Sequence, residues 1–312
     1  MRREGSALHG VGVVMLKELG DHLSSVRMRV IEWLVVLVAL VALYFAIQQI
    51  RDVTAEDPFL FLRLFTTSRE PLPSFVTFLT FLVPLIAIGL GFDSVNGEYN
   101  RRTMSRILAQ PIYRDALLFG KFLAGLFTLS ISLIALWMLV IGLGLFLLGV
   151  PPNTEEMLRA MVFLFIVITY AGVWLVLAMF FSIVFRSTAS AALVTLGLWL
   201  FLTLIWPGLA QALASGVMAG ANEESIILTA QNLARISPGV LFSEAYLAIL
   251  NPSTRSLGPI YMSQLQGAVI GAPLPLSESL LIAWPQIVGL VAEVILVFVA
   301  GYIIFQRQEV RA

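Results

Sequence analysis

Long stretches without a charged residue constrain this chain more than any other feature. Residues 33–50, 71–92, 122–154, 160–185 and 187–222 contain no Asp, Glu, Lys or Arg, and 281–305 contains only Glu293. The hydrocarbon core of a bilayer is about 30 Å thick, and about 20 apolar residues of helix are needed to cross it. Each run is long enough to cross, and the runs therefore predict membrane-spanning segments.

Backbone groups in lipid must be hydrogen-bonded within the protein, which favours helices for these runs. We expect an all-α, polytopic integral membrane protein whose residues 1–312 form one transmembrane domain. Pro151-Pro152 ends the third span, and Trp206-Pro207-Gly208 ends the fifth, because proline cannot continue a helix. The six predicted spans are 30–50, 71–92, 122–149, 157–185, 188–206 and 281–305.

Composition excludes several other classes of protein. Hydrophobic residues make up 59% of the chain and charged residues 12%, far from the average of a soluble domain. The net charge is zero, which argues against nucleic acid as a partner. The chain has no cysteine and only His9 and His22 as histidines, so we expect no metal site and no disulfide.

Basic residues between the spans predict the orientation. With the N-terminus in the cytoplasm, thirteen Lys and Arg residues fall inside and six outside. The excess of positive charge on the inner side predicts a multi-pass protein of a prokaryotic inner membrane with both termini in the cytoplasm.

An amphipathic helix precedes the first span. Apolar residues recur at three- and four-residue spacing through 7–29, with Lys17 and Glu18 on the other face. This pattern predicts a helix that lies flat on the membrane lipids of the cytoplasmic leaflet. A disordered tail is the alternative.

The loop 93–121 between the second and third spans is the most charged part of the chain. Residues 98–108 show a short helical pattern, with Met104, Ile107 and Leu108 on its apolar side and arginines around it. A helix of this kind just beneath the membrane is suited to docking in a groove of a cytoplasmic partner. A solvated basic loop would explain the arginines but not the apolar side.

Residues 207–280 form a large insert on the outer side. Two short helices are expected around 225–235 and 243–250, with Ser237-Pro238-Gly239 between them. The insert is expected to cap the outer mouth of the bundle, and a lid, a gate and a purely structural element are the alternatives.

The order of these features resembles the type-2 ATP-binding-cassette (ABC-2) permeases, and in particular their NosY-like branch. The most specific part of the resemblance is residues 93–98, then Thr103, then residues 108–114, and then residues 120–122, whose Gly120-Lys121 pair opens the next span. The family commonly has Gly-Thr where this chain has Arg102-Thr103. Lys17-Glu18 resembles the Lys-Glu of the family's N-terminal helix.

The resemblance implies a permease subunit that works with a second permease chain, identical or different, and with two cytoplasmic ATPase subunits. It places the coupling helix, which receives the motion of the ATPases, at 98–110. The implied coupling residues are Glu98, Arg101, Arg102, Thr103, Arg106, Leu108, Pro111 and Arg114.

The sequence independently indicates that ATP is hydrolysed elsewhere. A P-loop requires GxxxxGK followed by Ser or Thr, but Gly120-Lys121 is preceded by Asp115 and followed by Phe122. We therefore expect no enzyme activity and no cofactor on this chain, with ATP and Mg²⁺ held by the partner ATPase.

Three features within the spans have alternative interpretations. Glu293 is an acid deep in a span, which is either on the transport path or joins helices. Glu32, at the start of the first span, is interpreted as an interfacial acid that Arg29 could pair with. The bulky aromatic residues of the fourth span are expected to face lipid.

The function predicted is export or flipping of a hydrophobic or amphiphilic molecule. The alternatives are an ion-coupled secondary transporter and a membrane scaffold without transport. An intramembrane protease is a third alternative, but both histidines precede the first span and lie outside the membrane.

Overall fold

The computed structural model describes residues 10–52, 59–68, 73–104, 110, 113–149, 151–257 and 273–308. Within these ranges the chain forms twelve α-helices and one π-helical turn and no β-strand. The helices are α1 Val11–Ser24, α2 Val26–Asp52, α3 Arg63–Thr66, α4 Phe75–Gly91, α5 Asn96–Asn100, α6 Arg114–Leu148, α7 Thr154–Val184, α8 Thr188–Leu200, α9 Trp206–Val217, α10 Glu223–Ala234, α11 Pro238–Leu250 and α12 Leu276–Arg307.

Six helical segments in the described ranges are long and apolar enough to cross a membrane. This confirms the predicted all-α, six-span architecture. The segments are Val26–Ile50, Phe75–Asn100, Arg114–Leu148, Thr154–Val184, Thr188–Val217 and Leu276–Arg307.

The fifth segment differs from the sequence expectation, because its helix does not end at Trp206. A π-helical turn at Phe201–Ile205 connects α8 to α9, and the helix runs on to Val217. Pro207 lies at the start of α9, directly after the π-helical turn, where the hydrogen-bond register of the helix shifts. The proline is therefore accommodated at a register shift instead of breaking the helix.

Four of the spans, the first, third, fourth and last, begin earlier than their charge-free runs. The third span, for example, begins at Arg114 and the last at Leu276, so charged and polar residues occupy the first turns of these two helices. Polar side chains near a helix end can reach the interfacial region, and for this reason the charge-free run underestimates the length of the helix.

Side chains that hydrogen-bond the first backbone N–H groups fix several helix starts. Asn153 accepts from the N–H of Glu156, whose carboxylate accepts from the N–H of Asn153, forming a capping box before α7. Ser74 and Ser187 accept in the same way before α4 and α8. These caps stop the turns between the spans from fraying.

The fourth span, α7, is the core of the bundle, and its aromatic side chains are mostly not on the lipid side. Phe163, Tyr170 and Trp174 are fully buried, whereas Met161 and Phe165 are exposed. The Tyr170 ring stacks on Phe242 of α11 with centroids 4.4 Å apart. The expectation of a lipid-facing aromatic surface is wrong for Phe163, Tyr170 and Trp174. The reason is that α7 packs against α4, α6, α11 and α12 and has little free surface.

In its described part, the insert between the fifth and sixth spans contains α10 and α11, which meet at a bend of 108°. Arg159, at the start of α7, is completely buried and donates to the carbonyl of Ile249 in α11 at 2.7 Å and to Ser279 in α12 at 3.1 Å. Its other partners are Glu155 at 2.9 Å and the carbonyl of Leu274 at 2.5 Å. A buried arginine with this many acceptors fixes the insert to two spans. We refer to this end of the bundle as the α11 end.

Candidate functional site

The opposite end of the bundle, the α1 end, collects most of the residues predicted to be functional. Lys121 lies near the beginning of the third span with its side chain only 4% exposed. Its Nζ is 2.9 Å from Glu18 Oε1 of α1 and 3.3 Å from Glu98 Oε1 of α5. A buried ammonium is stable only when paired, so this three-residue cluster, Glu18–Glu98–Lys121, joins three helices.

Glu98 also holds the turn that follows it. Its second carboxylate oxygen accepts from the Thr103 hydroxyl, and its backbone carbonyl accepts from the Thr103 N–H at 3.0 Å. Glu98 and Thr103, both predicted as coupling residues, are thus brought together. The Glu98 side chain therefore faces the bundle.

The predicted helix over 98–108 is interrupted. Helix α5 ends at Asn100, and Arg102 has φ of 57°, in the left-handed region that a right-handed helix cannot contain. This position is where the ABC-2 pattern has glycine, the residue that adopts such a backbone without strain. Arg101 and Arg102 are both exposed, and Arg106, Leu108 and Pro111 lie outside the described residues.

Asn96 anchors α5 to the far side of the bundle, which the sequence did not indicate. Its side-chain amide donates to the carbonyls of Phe185 at 3.2 Å and Ser187 at 3.4 Å, between the fourth and fifth spans. The N–H groups of Val95 and Asn96 donate to Ser182 Oγ at 3.0 and 3.1 Å. Asn96 lies within the motif at 93–98 that resembles the family, but nothing in the sequence indicates these partners.

A second ion pair joins the same region to the first span. Arg27 contacts Asp93 through two nitrogens, at 3.1 and 3.3 Å, and its guanidinium lies 5.2 Å from the centre of the Phe92 ring. The two contacts link the start of α2 to the end of α4. Arg27 and Asp93 were recognised as charged residues but not as partners, because 66 positions separate them.

Arg114 has a different position from the other predicted coupling residues. Its Nη1 donates to the carbonyl of Gln308 at 2.9 Å and to that of Gln306 at 3.4 Å, at the end of α12. The neighbouring Asp115 accepts from Tyr302 at 3.0 Å. Arg114 therefore satisfies carbonyls that the end of a helix leaves free, and it links the third span to the sixth.

Lys17 and Glu18 of α1 point in different directions. Lys17 is exposed and pairs with Glu18 at 3.0 Å and Asp21 at 2.9 Å, whereas Glu18 points inward to Lys121. Burial alone would raise the pKa of Glu18, but the nearby ammonium groups of Lys121 and Lys17 outweigh burial and lower the pKa below 4.5. Glu18 is thus ionised at neutral pH.

His22 lies one turn further along α1, and it is half-buried. Burial lowers its pKa below 6.5, and the positive charges of Lys121 and Arg27 act in the same direction, against Glu18 and Asp93. His22 is therefore neutral at pH 7.

Glu293 is not part of this end of the bundle. It lies thirteen residues before Gln306 on α12, which corresponds to about 20 Å along the helix. Its side chain is half-buried, and its Oε2 has no hydrogen-bond partner among the described residues.

Two comparisons with known proteins show what the chain is similar to. The family model described as ABC-2 family transporter protein matches residues 13–310. A protein of Pseudomonas aeruginosa, "Probable ABC transporter permease protein NosY", is 29% identical over 222 residues, which cover 69% of this chain and 72% of that protein. A protein of the same name from Stutzerimonas stutzeri is 30% identical over 148 residues, covering 46% of this chain and 51% of that protein.

Proposed function

The chain belongs to the ABC-2 family of transporter proteins, and we propose that it exports or flips a hydrophobic or amphiphilic molecule, driven by separate ATPase subunits. Family membership makes it a permease, a transport component of an ABC transporter with multiple membrane spans. We also propose an orientation, a docking site, a permease partner and a type of substrate for the chain.

The Glu18–Glu98–Lys121 cluster is the observation that supports docking at 98–110 most directly. A partner that pushes on the exposed Arg101 and Arg102 displaces α5, and Glu98 carries the force through Lys121 to α6 and through the same ammonium to α1. Asn96 carries it to the junction of the fourth and fifth spans. A rigid set of polar contacts of this kind couples a local displacement to a tilt of whole helices.

The proposed mechanism is alternating access. ATP binding brings the two ATPase subunits together, the segment 98–110 of each permease moves with them, and the spans tilt so that the outer mouth opens. A partner can shift the equilibrium between two states of the permease only if it binds them with different affinities. The ATPase must therefore contact the permease differently in each state.

A second permease chain, identical or different, completes the translocation path in this proposal. The first and fifth spans carry large apolar side chains that remain exposed in the single chain, including Trp33 at 74%, Leu37 at 63%, Leu193 at 70% and Leu204 at 64%. Lipid and a second permease chain both suit such surfaces. In the proposed pair of permease chains these apolar side chains line the path, and this supports a hydrophobic or amphiphilic substrate over a polar one.

Charge reversal tests the docking site. The tagged chain is purified from its native membranes, and the co-purifying ATPase is identified and quantified per permease. We expect Arg106→Glu combined with Leu108→Glu to release the ATPase or to make its ATP hydrolysis independent of the permease. Arg307→Glu, an exposed arginine at the end of α12, is the control and should leave the complex unchanged. Full coupling in the double variant would contradict docking at this segment.

The absence of cysteine allows a direct test of orientation. Arg106→Cys and Arg255→Cys are labelled with a membrane-impermeant maleimide in intact cells and in inverted vesicles. The proposed orientation, with both termini in the cytoplasm of a prokaryote, requires label at position 255 in cells and at position 106 only in inverted vesicles. The reverse pattern would remove position 106 from any cytoplasmic ATPase.

Glu293 is proposed either to line the transport path or to join helices. Glu293→Gln preserves the shape of the side chain and removes its charge. Lost transport with normal assembly of the complex favours the path, and lost assembly favours the joining role. Normal behaviour in both measurements excludes the two roles.

A further inference from the structure

A cavity of about 250 Å³ lies between the first three spans, near the α1 end. Buried apolar side chains form most of its wall, among them Val35, Ile86 and Leu133. Ile131 and Ala135 of α6 also line it and are exposed, so the cavity opens on the side of the bundle. Because both residues belong to the charge-free run 122–154, the opening faces the acyl chains of the bilayer.

Glu32 is the only charged residue among those lining the cavity in the described part of the chain. Its Oε1 accepts a hydrogen bond from Ser132 Oγ at 2.9 Å. No described Lys or Arg forms an ion pair with it, and Arg29, the expected partner, donates to the carbonyl of Ser24 at 3.4 Å. A carboxylate in apolar surroundings is costly without a cation, so the cavity presents a carboxyl group without a partner of opposite charge among the described residues.

Glu32 lies between the charged edge of the bundle and the apolar part of the cavity. Arg27, which pairs with Asp93, marks the charged edge at α2. Glu32 is five residues further along α2, or about 8 Å at the helical rise, and its partner Ser132 is eleven residues, or about 16 Å, beyond Lys121 on α6, so the carboxyl lies about 8 to 16 Å inside that edge. From Ser132 the lining continues to Leu139, about 10 Å deeper along α6, and this part contains only apolar side chains.

We propose that this cavity binds a membrane lipid with a primary ammonium headgroup, taken from the leaflet at the α1 end. The ammonium donates to Glu32, Ser132 holds the carboxylate in place, and one acyl chain fills the apolar part of the cavity. An anionic headgroup is repelled by Glu32, and a quaternary ammonium lacks the N–H donors that a carboxylate binds. The proposal concerns a bound lipid and does not depend on the direction or substrate of transport.

The test measures which lipid the full-length protein retains. The protein is reconstituted in vesicles of equal parts phosphatidylethanolamine and phosphatidylglycerol, extracted in mild detergent, and examined by native mass spectrometry. We expect one phosphatidylethanolamine per chain, enriched about tenfold over phosphatidylglycerol, as one charge-assisted hydrogen bond allows. Replacing phosphatidylethanolamine by phosphatidylcholine in the vesicles should abolish the enrichment.

Three variants separate the headgroup contact from the chain contact. Glu32→Gln should lose the tenfold preference, and Ile131→Trp, at the exposed mouth of the cavity, should lose the lipid itself. Ile131→Trp also serves if Glu32→Gln fails to fold, since residue 131 is at the surface. The control, Glu224→Gln on the exposed face of α10, should behave as the wild type.

Equal retention of the two lipids by the wild type would overturn the proposal, as would an undiminished preference in Glu32→Gln. A wild-type protein that retains no lipid because a second copy covers the opening would also overturn it. Cross-linking at position 131 between two chains identifies that case.

Discussion

Gly120 of α6 lies against Val14 of α1 so closely that a Cβ at position 120 would be 2.7 Å from the Cβ of Val14 and 3.2 Å from the carbonyl oxygen of Val11. Lys121 is the next residue, and it pairs with Glu18 one turn further along α1. Close packing and a buried ion pair therefore hold the same two helices together. Lys121 also pairs with Glu98, so this contact joins both helices to α5.

We expect Gly120→Ala to separate α1 from α6. The added methyl group overpacks the contact at a cost of about 1–3 kcal/mol, because Val14 is β-branched and stiff. The apparent melting temperature in detergent should fall. Gly142→Ala in the same helix is the matched control, since a Cβ there meets nothing within 4 Å. Gly142→Ala should be tolerated, because alanine favours a helix more than glycine does. If both variants were tolerated equally, the packing argument would be contradicted.

Lys121→Met should destabilise the α1 end by about 3–5 kcal/mol, because two carboxylates remain near each other without their cation. Adding Glu18→Gln and Glu98→Gln to Lys121→Met removes both charges and should recover most of the loss in thermal stability. Lys17→Met, an exposed lysine of the same α1 network, should cost less than about 1 kcal/mol. Failure of the triple variant to recover would show that Lys121 does not act through these two acids.

The two shifted groups of α1 predict a two-step loss of stability in acid. The folded pKa of His22 lies below 6.5, so the unfolded chain binds a proton first, and stability falls as the pH drops from about 6.5 through the folded pKa. Glu18, with a pKa below 4.5, contributes stability above pH 4.5 that is lost as the pH falls through its folded pKa.

Melting curves between pH 8 and pH 4 measure this dependence. His22→Gln should remove the step that starts near pH 6.5 and leave the one that starts near pH 4.5. An unchanged profile in His22→Gln would assign the upper step to another group.

Arg102→Gly should stabilise the turn after α5. A non-glycine residue with φ of 57° carries a strain of about 1 kcal/mol, which glycine does not have. Arg101→Gly is the control, because φ at the C-cap Arg101 is −81° and glycine there only adds freedom to the unfolded chain. Thermal melts of the two variants should therefore shift in opposite directions. A lower melting temperature for Arg102→Gly would mean that its side chain contributes more than the strain costs.

The family and the six spans could be predicted because both depend on local information. A charge-free run signals a helix in lipid from about twenty consecutive residues, and the family motif from Glu98 to Lys121 is a spacing along the chain. The ends of the helices were less predictable. Pro207 looked like a terminator, but the π-helical turn at Phe201–Ile205 shifts the hydrogen-bond register directly before it, and the helix runs on to Val217.

The site was predictable in part. Lys17, Glu18 and Glu98 follow from the motif, but the inward direction of Glu18 and the outward direction of Lys17 do not, since both belong to the polar face of α1. Arg114 was grouped with the coupling residues because the family motif has an arginine there, but its contact with the carbonyl of Gln308 at the end of the last helix was not predicted. Asn96 lies in the family motif, but its contacts were not predicted because its partners are 86 to 91 positions away.

The sequence by itself determined that the chain is helical, that it has six spans and that it belongs to a transporter family, because about 20 apolar residues specify a crossing without reference to the rest of the fold. Only the tertiary structure decided which charges meet. Lys121 and Glu18 are 103 positions apart, and Asn96 and Phe185 are 89 apart. Desolvation makes each of these polar groups costly when it is alone, and the packing of the helices determines the partner that removes the cost.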